Sequence, residues 1–313
     1  MSTAGDNNND NVSDICANCR KGEDRSGSLK ACAACKLVKY CNRECQIAHR
    51  PQHKKECKKR AVELHEEKLF ESPPLEYEDC PICLLRMPNL HTGRRYMSCC
   101  GKVICSGCIH AVQIRGGGMG LCPFCRTPAT SSDKLIRDYE KRMEAGDAIA
   151  IHEIGVHYFH GDNSHPQDIR KALEFYKRAG DLGHAESYNN IGVAYFHGQG
   201  VGVNMKKAKH YYELAAMLGH DRARNSIGRT EAQLGNSDKA LKHWTIASRG
   251  GNSRSVFNVK MLYLEGHATK EDYEKAVQSY QAYLREVKSD QRDEAAAAYD
   301  DNKYIEEGPE VNE

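Results

Sequence analysis

The sequence predicts two small cysteine-rich domains of irregular α+β structure, followed by an all-α solenoid. Three observations lead to this prediction. All 15 cysteines lie between Cys16 and Cys125. They occur in closely spaced pairs, a pattern typical of metal-stabilised folds. Between residues 140 and 288, which contain no cysteine, a helical pattern recurs about every 36 residues.

Composition limits the classes of protein that the chain can represent. A length of 313 residues predicts two or three domains. The 45 Lys and Arg residues balance 43 Asp and Glu, so the net charge of +2 does not mark a nucleic-acid-binding protein. The mean hydropathy is −0.71. The sequence has no apolar stretch of about 18 residues, so we predict no membrane-spanning helix. The first 14 residues are rich in Asn and Asp, which predicts disorder.

The cysteines indicate metal binding rather than disulfides. The N-terminus lacks the apolar segment of a secretory signal, and the number of cysteines is odd. Reducing compartments disfavour disulfides. We therefore expect an intracellular protein, in the cytoplasm or the nucleus, whose thiolates bind metal.

The first cysteine block contains four potential ligand pairs within residues 16–57. The two members of each pair are separated by two or three residues: Cys16 and Cys19, Cys32 and Cys35, Cys41 and Cys45, His53 and Cys57. Zinc takes four nitrogen or sulfur donors in a tetrahedron, so eight donors suit two ions. The segment is too short to build its own apolar core. Bound metal would supply folding free energy on the order of 10 kcal/mol per site.

The motifs CANC, CAAC and YCNRECQIAHRPQHKKEC resemble the MYND-type zinc finger family, with expected bounds of 15–58. The resemblance implies an interleaved arrangement. One zinc would be held by Cys16, Cys19, Cys41 and Cys45, and the other by Cys32, Cys35, His53 and Cys57. His49 is an alternative to His53, which has the matching spacing to Cys57. The resemblance also implies that Pro-containing peptides are ligands.

A basic segment and a proline linker follow the first block. Residues 20–60 carry 13 Lys and Arg against four acidic residues. A solvated helix end is favoured over a nucleic-acid site, because no interleaved aromatic residues are available for base stacking. Residues 59–78 are expected to form a helix and then a stiff linker containing Pro73 and Pro74. An internal ligand for the first finger is the less favoured interpretation of that linker.

The second cysteine block supplies eight further donors. They are Cys80, Cys83, Cys99, Cys100, Cys105, Cys108, Cys122 and Cys125. The 15 cysteines and His53 together make 16 donors, which predicts four zinc ions and leaves no thiol unused.

The motifs CPIC, CCGKVICSGC and CPFCR resemble the RING finger family, with expected bounds of 79–130. The resemblance implies that one zinc is held by Cys80, Cys83, Cys105 and Cys108, and the other by Cys99, Cys100, Cys122 and Cys125. Lys102 stands where the family usually has a histidine ligand, and its protonated amine is a poor ligand at neutral pH. Cys99 is the expected substitute, and His91 and His110 are weaker candidates.

RING ligases hold a ubiquitin-charged conjugating enzyme in a reactive pose, which is catalysis by positioning. The resemblance places the contacts with that enzyme and with ubiquitin at Ile82, Pro123 and Arg126, extended by Ile109 and Ile114. A covalent mechanism on a cysteine of this chain is disfavoured, because every thiolate has a metal to bind.

Residues 140–288 contain a repeated helix pair. Lys-Ala steps begin at Lys171, Lys207, Lys239 and Lys275. Four residues after each alanine stands a ring, at Tyr176, Tyr212, Trp244 and Tyr280. This spacing marks one helical face, and a preceding helix ends in each case at Gly161, Gly198, Gly235 or Gly266. A helix pair that recurs in this way predicts an α-solenoid.

The array, best seen in YFHGQGVGVNMKKAKHYYELAAMLGH, resembles about four Sel1-like repeats, which are related to tetratricopeptide repeats. The resemblance implies a scaffold for protein complexes. Small Ala and Gly positions would let the helices close against the rings. Residues 289–313 are acidic, and we expect a solvated tail whose first residues continue the last helix.

The sequence therefore predicts a zinc-binding protein-interaction protein. The leading interpretation is a RING-type E3 ubiquitin ligase whose Sel1-like repeats and MYND finger recruit the substrate. The alternative is a non-catalytic zinc-finger scaffold. The expected partners are a ubiquitin-charged conjugating enzyme, a substrate protein and Pro-containing peptides, with neither nucleic acid nor membrane.

Overall fold

The computed structural model describes residues 15–22, 29–71, 79–115, 120–128, 131–162 and 165–305. The chain divides into two compact units, Met1–Glu71 and Ser72–Glu313. Three segments lie outside the described ranges: residues 1–14, for which disorder is predicted, the proline linker, and the last eight residues. None of the helices within those ranges is long and apolar enough to cross a membrane.

The first unit is a short hairpin followed by one long helix. Strands β1 (Lys30–Ala31) and β2 (Lys39–Tyr40) pair antiparallel, and helix α1 spans Arg43–Phe70. The Asn42 side chain caps α1 by accepting a hydrogen bond of 2.8 Å from the backbone N–H of Cys45. The buried core consists of Leu29, Tyr40 and three cysteines. So small an apolar core agrees with a fold held by metal.

The second unit begins with another cysteine-rich finger. Strands β3 (Arg94–Met97) and β4 (Lys102–Cys105) form an antiparallel hairpin, and helix α2 (Ser106–Arg115) follows directly. The buried core of this finger again consists mainly of sulfur, with Met87 and Ile104 beside four cysteines. The predicted class of small, irregular α+β zinc domains is confirmed.

The rest of the second unit is helical. Helix α3 (Ser132–Glu144) precedes four helix pairs: α4 (Ala148–His160) with α5 (Ile169–Asp181), α6 (Ala185–His197) with α7 (Met205–Met217), α8 (Asp221–Gln233) with α9 (Ser237–Arg249), and α10 (Ser253–Leu264) with α11 (Lys270–Val287). The helices of each pair pack together and each pair packs on the next, which confirms the predicted solenoid.

Glycines set the distance between the helices of the first three pairs. They face the rings that the sequence singles out: Gly155 on Tyr176, Gly192 on Tyr212 and Gly228 on Trp244. An added Cβ at these glycines would lie 2.8, 2.6 and 2.6 Å from the nearest ring atom. The fourth pair has Lys260 at the equivalent position, in keeping with its place at the end of the array.

The acidic C-terminal segment is not the solvated tail that the sequence predicts. Helix α12 (Asp290–Ala298) packs against α2 of the second finger. Arg292 and Ala295 are fully buried, and Tyr304 is 2% exposed. Tyr304 belongs to an apolar cluster with residues of α10 and α11. The prediction of a solvated tail is wrong for residues 290–305. It was based on the high acidic content, whereas Arg292, Ala295 and Tyr304 of this segment are buried.

Candidate metal centres

The structure groups the 16 predicted donors into four tetrads. The ligand atoms of each tetrad lie within 4.8 Å of one another. The tetrads are Cys16, Cys19, Cys41 and Cys45; Cys32, Cys35, His53 and Cys57; Cys80, Cys83, Cys105 and Cys108; and Cys99, Cys100, Cys122 and Cys125. In both blocks the first donor pair joins the third and the second joins the fourth, so the two sites of each finger interleave.

Four of the donor pairs share one backbone turn. The residue after the second cysteine donates its N–H to the carbonyl of the first, over 2.8 to 3.0 Å. That residue has a positive φ of 56° to 62° in each case: Arg20, Lys36, Leu84 and Arg126. They are the only non-glycine residues with positive φ in the described ranges. This left-handed residue folds the chain back so that both sulfurs point to one place.

Helix α1 carries donors for both sites of the first finger. Cys45, His49, His53 and Cys57 follow one another at four-residue steps and therefore share a helix face. His53 Nε2 lies 3.2 Å from Cys35 Sγ, whereas His49 Nδ1 lies 3.1 Å from the hydroxyl oxygen of Tyr40. The structure thus places His53 among the donors and His49 outside them.

In the second finger, Cys99 occupies the position that the sequence leaves open. Its sulfur lies 3.4 Å from that of Cys125. Lys102 is not among the four donors of this tetrad. Its amine lies over the ring of Phe124, 6.0 Å from the ring centroid. His110 is buried beside Tyr299, and His91 lies in the short turn before β3.

The tetrads have the chemistry of cation sites. Although burial raises the pKa of Cys16, hydrogen bonds with the backbone of Cys19 and Cys41 lower it to about 6. A hydrogen bond with Cys45 and burial raise the pKa of Cys41 to about 12. Four thiolates so close together repel one another, and only a cation lets all of them ionise. Three tetrads have four sulfur donors, and one has three sulfurs and the nitrogen of His53. Both donor sets fit tetrahedral zinc.

Comparison with known families covers the first finger and the array. The MYND finger family matches residues 16–57, and the Sel1 repeat family matches residues 148–184, 185–220, 228–252 and 261–281. The chain contains a MYND finger and Sel1 repeats. With the four tetrads, these matches support several bound zinc ions and protein-interaction repeats. They do not cover the Cys80–Cys125 finger.

Solved structures with similarity to the chain include Sel1 repeat proteins. A Sel1 repeat protein from Oxalobacter formigenes is 24% identical, with a TM-score of 0.45 over 58% of this chain and 72% of that one. A protective antigen of uropathogenic Escherichia coli with an SLR fold is 23% identical, with a TM-score of 0.41 over 55% and 37%. An immunity protein from Pseudomonas aeruginosa is 22% identical, with a TM-score of 0.35 over 52% and 60%.

The second finger is held along the helical array, which the sequence did not predict. The Tyr96 hydroxyl donates a 2.6 Å hydrogen bond to Asp147 at the start of α4. The Asn89 side chain donates to Asp221 at the start of α8, over 3.2 Å. Tyr283 of α11 donates to Asn89 Oδ1 over 2.7 Å and accepts from its backbone N–H over 2.9 Å. The finger and the repeats therefore form one packed unit.

The residues assigned by resemblance to a conjugating enzyme and ubiquitin lie at the surface. Ile82 is 41% exposed, Arg126 is exposed and Pro123 is half-buried. Further apolar side chains on the same finger are also exposed: Leu84, Ile114, Leu121 and Phe124. In contrast, Asn89 and Tyr96 on the side that faces the repeats are half-buried and hydrogen-bonded.

Proposed function

We propose that this chain is a RING-type E3 ubiquitin ligase in which each of the four tetrads holds one zinc ion. The Cys80–Cys125 finger would bind the ubiquitin-charged conjugating enzyme. The Sel1 repeats and the MYND finger would recruit the substrate. The donor pairs of the second finger interleave, and one helix, α2, precedes the last pair. This arrangement supports its assignment to the RING type.

The exposed apolar residues of the second finger carry this proposal. Five large apolar side chains are exposed on α2 and on or beside two of the finger's three Cys-x-x-Cys pairs, Cys80–Cys83 and Cys122–Cys125: Ile82, Leu84, Ile114, Leu121 and Phe124. Such a concentration on a small zinc-dependent domain is typical of a protein-binding surface. Zinc would hold the two turns rigid, so that the surface is organised before the partner binds.

Transfer of ubiquitin would need no covalent step on this chain. All 15 cysteines are free thiols, and each belongs to a tetrad. The finger would act by positioning the thioester of the conjugating enzyme. Arg126, exposed directly after the last ligand, would contact ubiquitin. The many free thiols also support an intracellular location.

An autoubiquitination assay with a panel of conjugating enzymes tests the proposal. We expect zinc-dependent ubiquitin chains with the natural protein, and at least a tenfold lower rate for Ile82→Ala and for Arg126→Ala. Leu218→Ala is the matched control, because Leu218 is an apolar residue of the repeats that is 44% exposed, close to the 41% of Ile82. Wild-type rates in both finger variants, or no chains with any enzyme of the panel, would refute the ligase proposal.

A non-catalytic scaffold is the second candidate. It is favoured by Lys102 at the usual histidine position and by repeats that serve protein interaction. The two candidates differ in one result. A scaffold would retain zinc and bind partner proteins through the fingers and repeats, yet form no ubiquitin chains with any conjugating enzyme.

A further inference from the structure

Arg292 is a buried cation that reaches the second finger from the far end of the chain. It lies on α12, and its exposed fraction is 0%. Its aliphatic stem packs against Gly107 of α2, where an added Cβ would be 2.9 Å from Arg292 Cγ. The finger has no side chain at that position, which leaves room for the arginine.

The guanidinium is hydrogen-bonded to the first turn of the finger. One Nη donates to the carbonyl oxygens of Arg86, over 2.8 Å, and of Val287, over 2.6 Å. The other donates to the carbonyl of Leu85, over 3.4 Å, and lies 3.7 Å from Cys83 Sγ. Cys83 is one of the four donors of the Cys80 tetrad. Arg292 thus holds both a ligand and the backbone that follows it.

The charge of the zinc site explains why a cation is useful there. Four thiolates and one Zn²⁺ carry a net charge of −2, and this tetrad is among the more buried ones. A buried charge is costly unless it is paired. A guanidinium beside a thiolate ligand lowers that cost and fixes the orientation of the ligand, as groups around metal ligands commonly do.

We propose that Arg292 is a positioning residue that retains the zinc of Cys80, Cys83, Cys105 and Cys108, so that the C-terminal segment acts as a clamp on this site. The clamp serves a ligase and a scaffold equally. It joins a site at the start of the second unit to a helix about 200 residues further along the chain. Removal of Arg292 would leave the site with an unpaired buried charge and a mobile ligand.

The test compares zinc release from the unsubstituted 313-residue chain and from its Arg292→Met variant, a change that keeps most of the apolar stem. Both proteins are challenged with a chromogenic zinc chelator and N-ethylmaleimide, and peptide mass spectrometry gives the labelling rate of each cysteine. Loss of a group that orients a metal ligand typically weakens metal binding 10- to 100-fold. We therefore expect labelling of the four tetrad cysteines to be at least tenfold faster, while the MYND cysteines label at the wild-type rate.

Two further variants separate zinc retention from general loosening of the segment. Tyr304→Phe removes the hydrogen bond from Tyr304 to Asp293 in the same segment without contact with a sulfur ligand, and we expect wild-type labelling. Arg292→Lys keeps the charge but not the fork of donors, and an intermediate rate is expected. If Arg292→Met does not fold, the labelling rate of Arg292→Lys alone tests whether Arg292 retains the zinc. Equal acceleration by Tyr304→Phe, or unchanged labelling in the Arg292 variants, would overturn the proposal. Absence of zinc from the second finger of the natural protein would instead refute the proposed function.

Discussion

The contact between Gly192 and Tyr212 allows the packing of the array to be tested with a single methyl group. The Cβ of Gly192→Ala would lie 2.6 Å from Cδ1 and 2.7 Å from Cε1 of the Tyr212 ring. Carbon atoms pack at about 3.5–4.0 Å, so α6 and α7 would have to separate by roughly 1 Å. Tyr212 is only 7% exposed, so the ring has little room to move away from the added methyl group.

Two effects of opposite sign decide the size of the change. Alanine is favoured over glycine in a helix by about 1 kcal/mol. Overpacking a well-packed core costs about 1–3 kcal/mol and here the backbone itself must shift. We expect packing to dominate, with a net loss of roughly 1–2 kcal/mol. For a unit of this size that corresponds to a melting temperature lower by about 2–8 °C.

The assay is thermal and urea unfolding followed by far-UV circular dichroism. Gly202→Ala is the control, because an added Cβ there meets no atom within 4 Å, and we expect a change within about 0.5 kcal/mol. Combining Gly192→Ala with Tyr212→Leu should cost less than the sum of the single changes, since the smaller side chain accommodates the methyl group. A Gly192→Ala protein as stable as the natural one would refute the claim that these glycines set the helix spacing.

Three other predictions concern acid, the docked finger and metal. Burial, together with the nearby His184, lowers the pKa of His152 to about 3, so its neutral form stabilises the fold above pH 6.5 and that stabilisation is lost as the pH falls. Between pH 7 and pH 5, the free energy of unfolding from urea titrations should fall by about 2 kcal/mol more in the natural protein than in His152→Asn. Equal falls in the two proteins would contradict this prediction. Tyr283→Phe removes two hydrogen bonds to Asn89, and should cost about 1–2 kcal/mol and accelerate amide exchange in the second finger, whereas exchange unchanged from wild type would argue against docking. Chelation of zinc should abolish amide protection in the MYND finger while the Sel1 repeats keep most of their helical signal, and a MYND finger still protected without metal would be inconsistent with its small core.

The local features of the fold could be predicted from the sequence. The spacing of the cysteine pairs indicated the sulfur tetrads, because donors two or three residues apart can bind one ion. The repeated Ala and ring positions predicted the helix pairs, because both lie on one helical face. The choice of His53 over His49 followed from its spacing to Cys57.

The remaining features depend on contacts between distant parts of the chain. Asn89 meets Tyr283 across 194 residues, and Arg292 meets Arg86 across 206. Such contacts leave no periodic pattern in the sequence. The acidic composition around Arg292 also favoured a solvated segment, although a few small or apolar residues suffice to bury one face of α12. The close packing of the helices on the rings, in contrast, was predicted from the small Ala and Gly positions, and a glycine recurs one position after Ile154, Ile191 and Ile227.

Zinc content is the most direct test of the central claim that sulfur-bound metal shapes both fingers. Elemental analysis of the purified chain should give four zinc ions per molecule, one for each tetrad. Two ions would contradict that claim, because at least two of the four tetrads would then hold no metal. Fewer than two would contradict the account of both fingers.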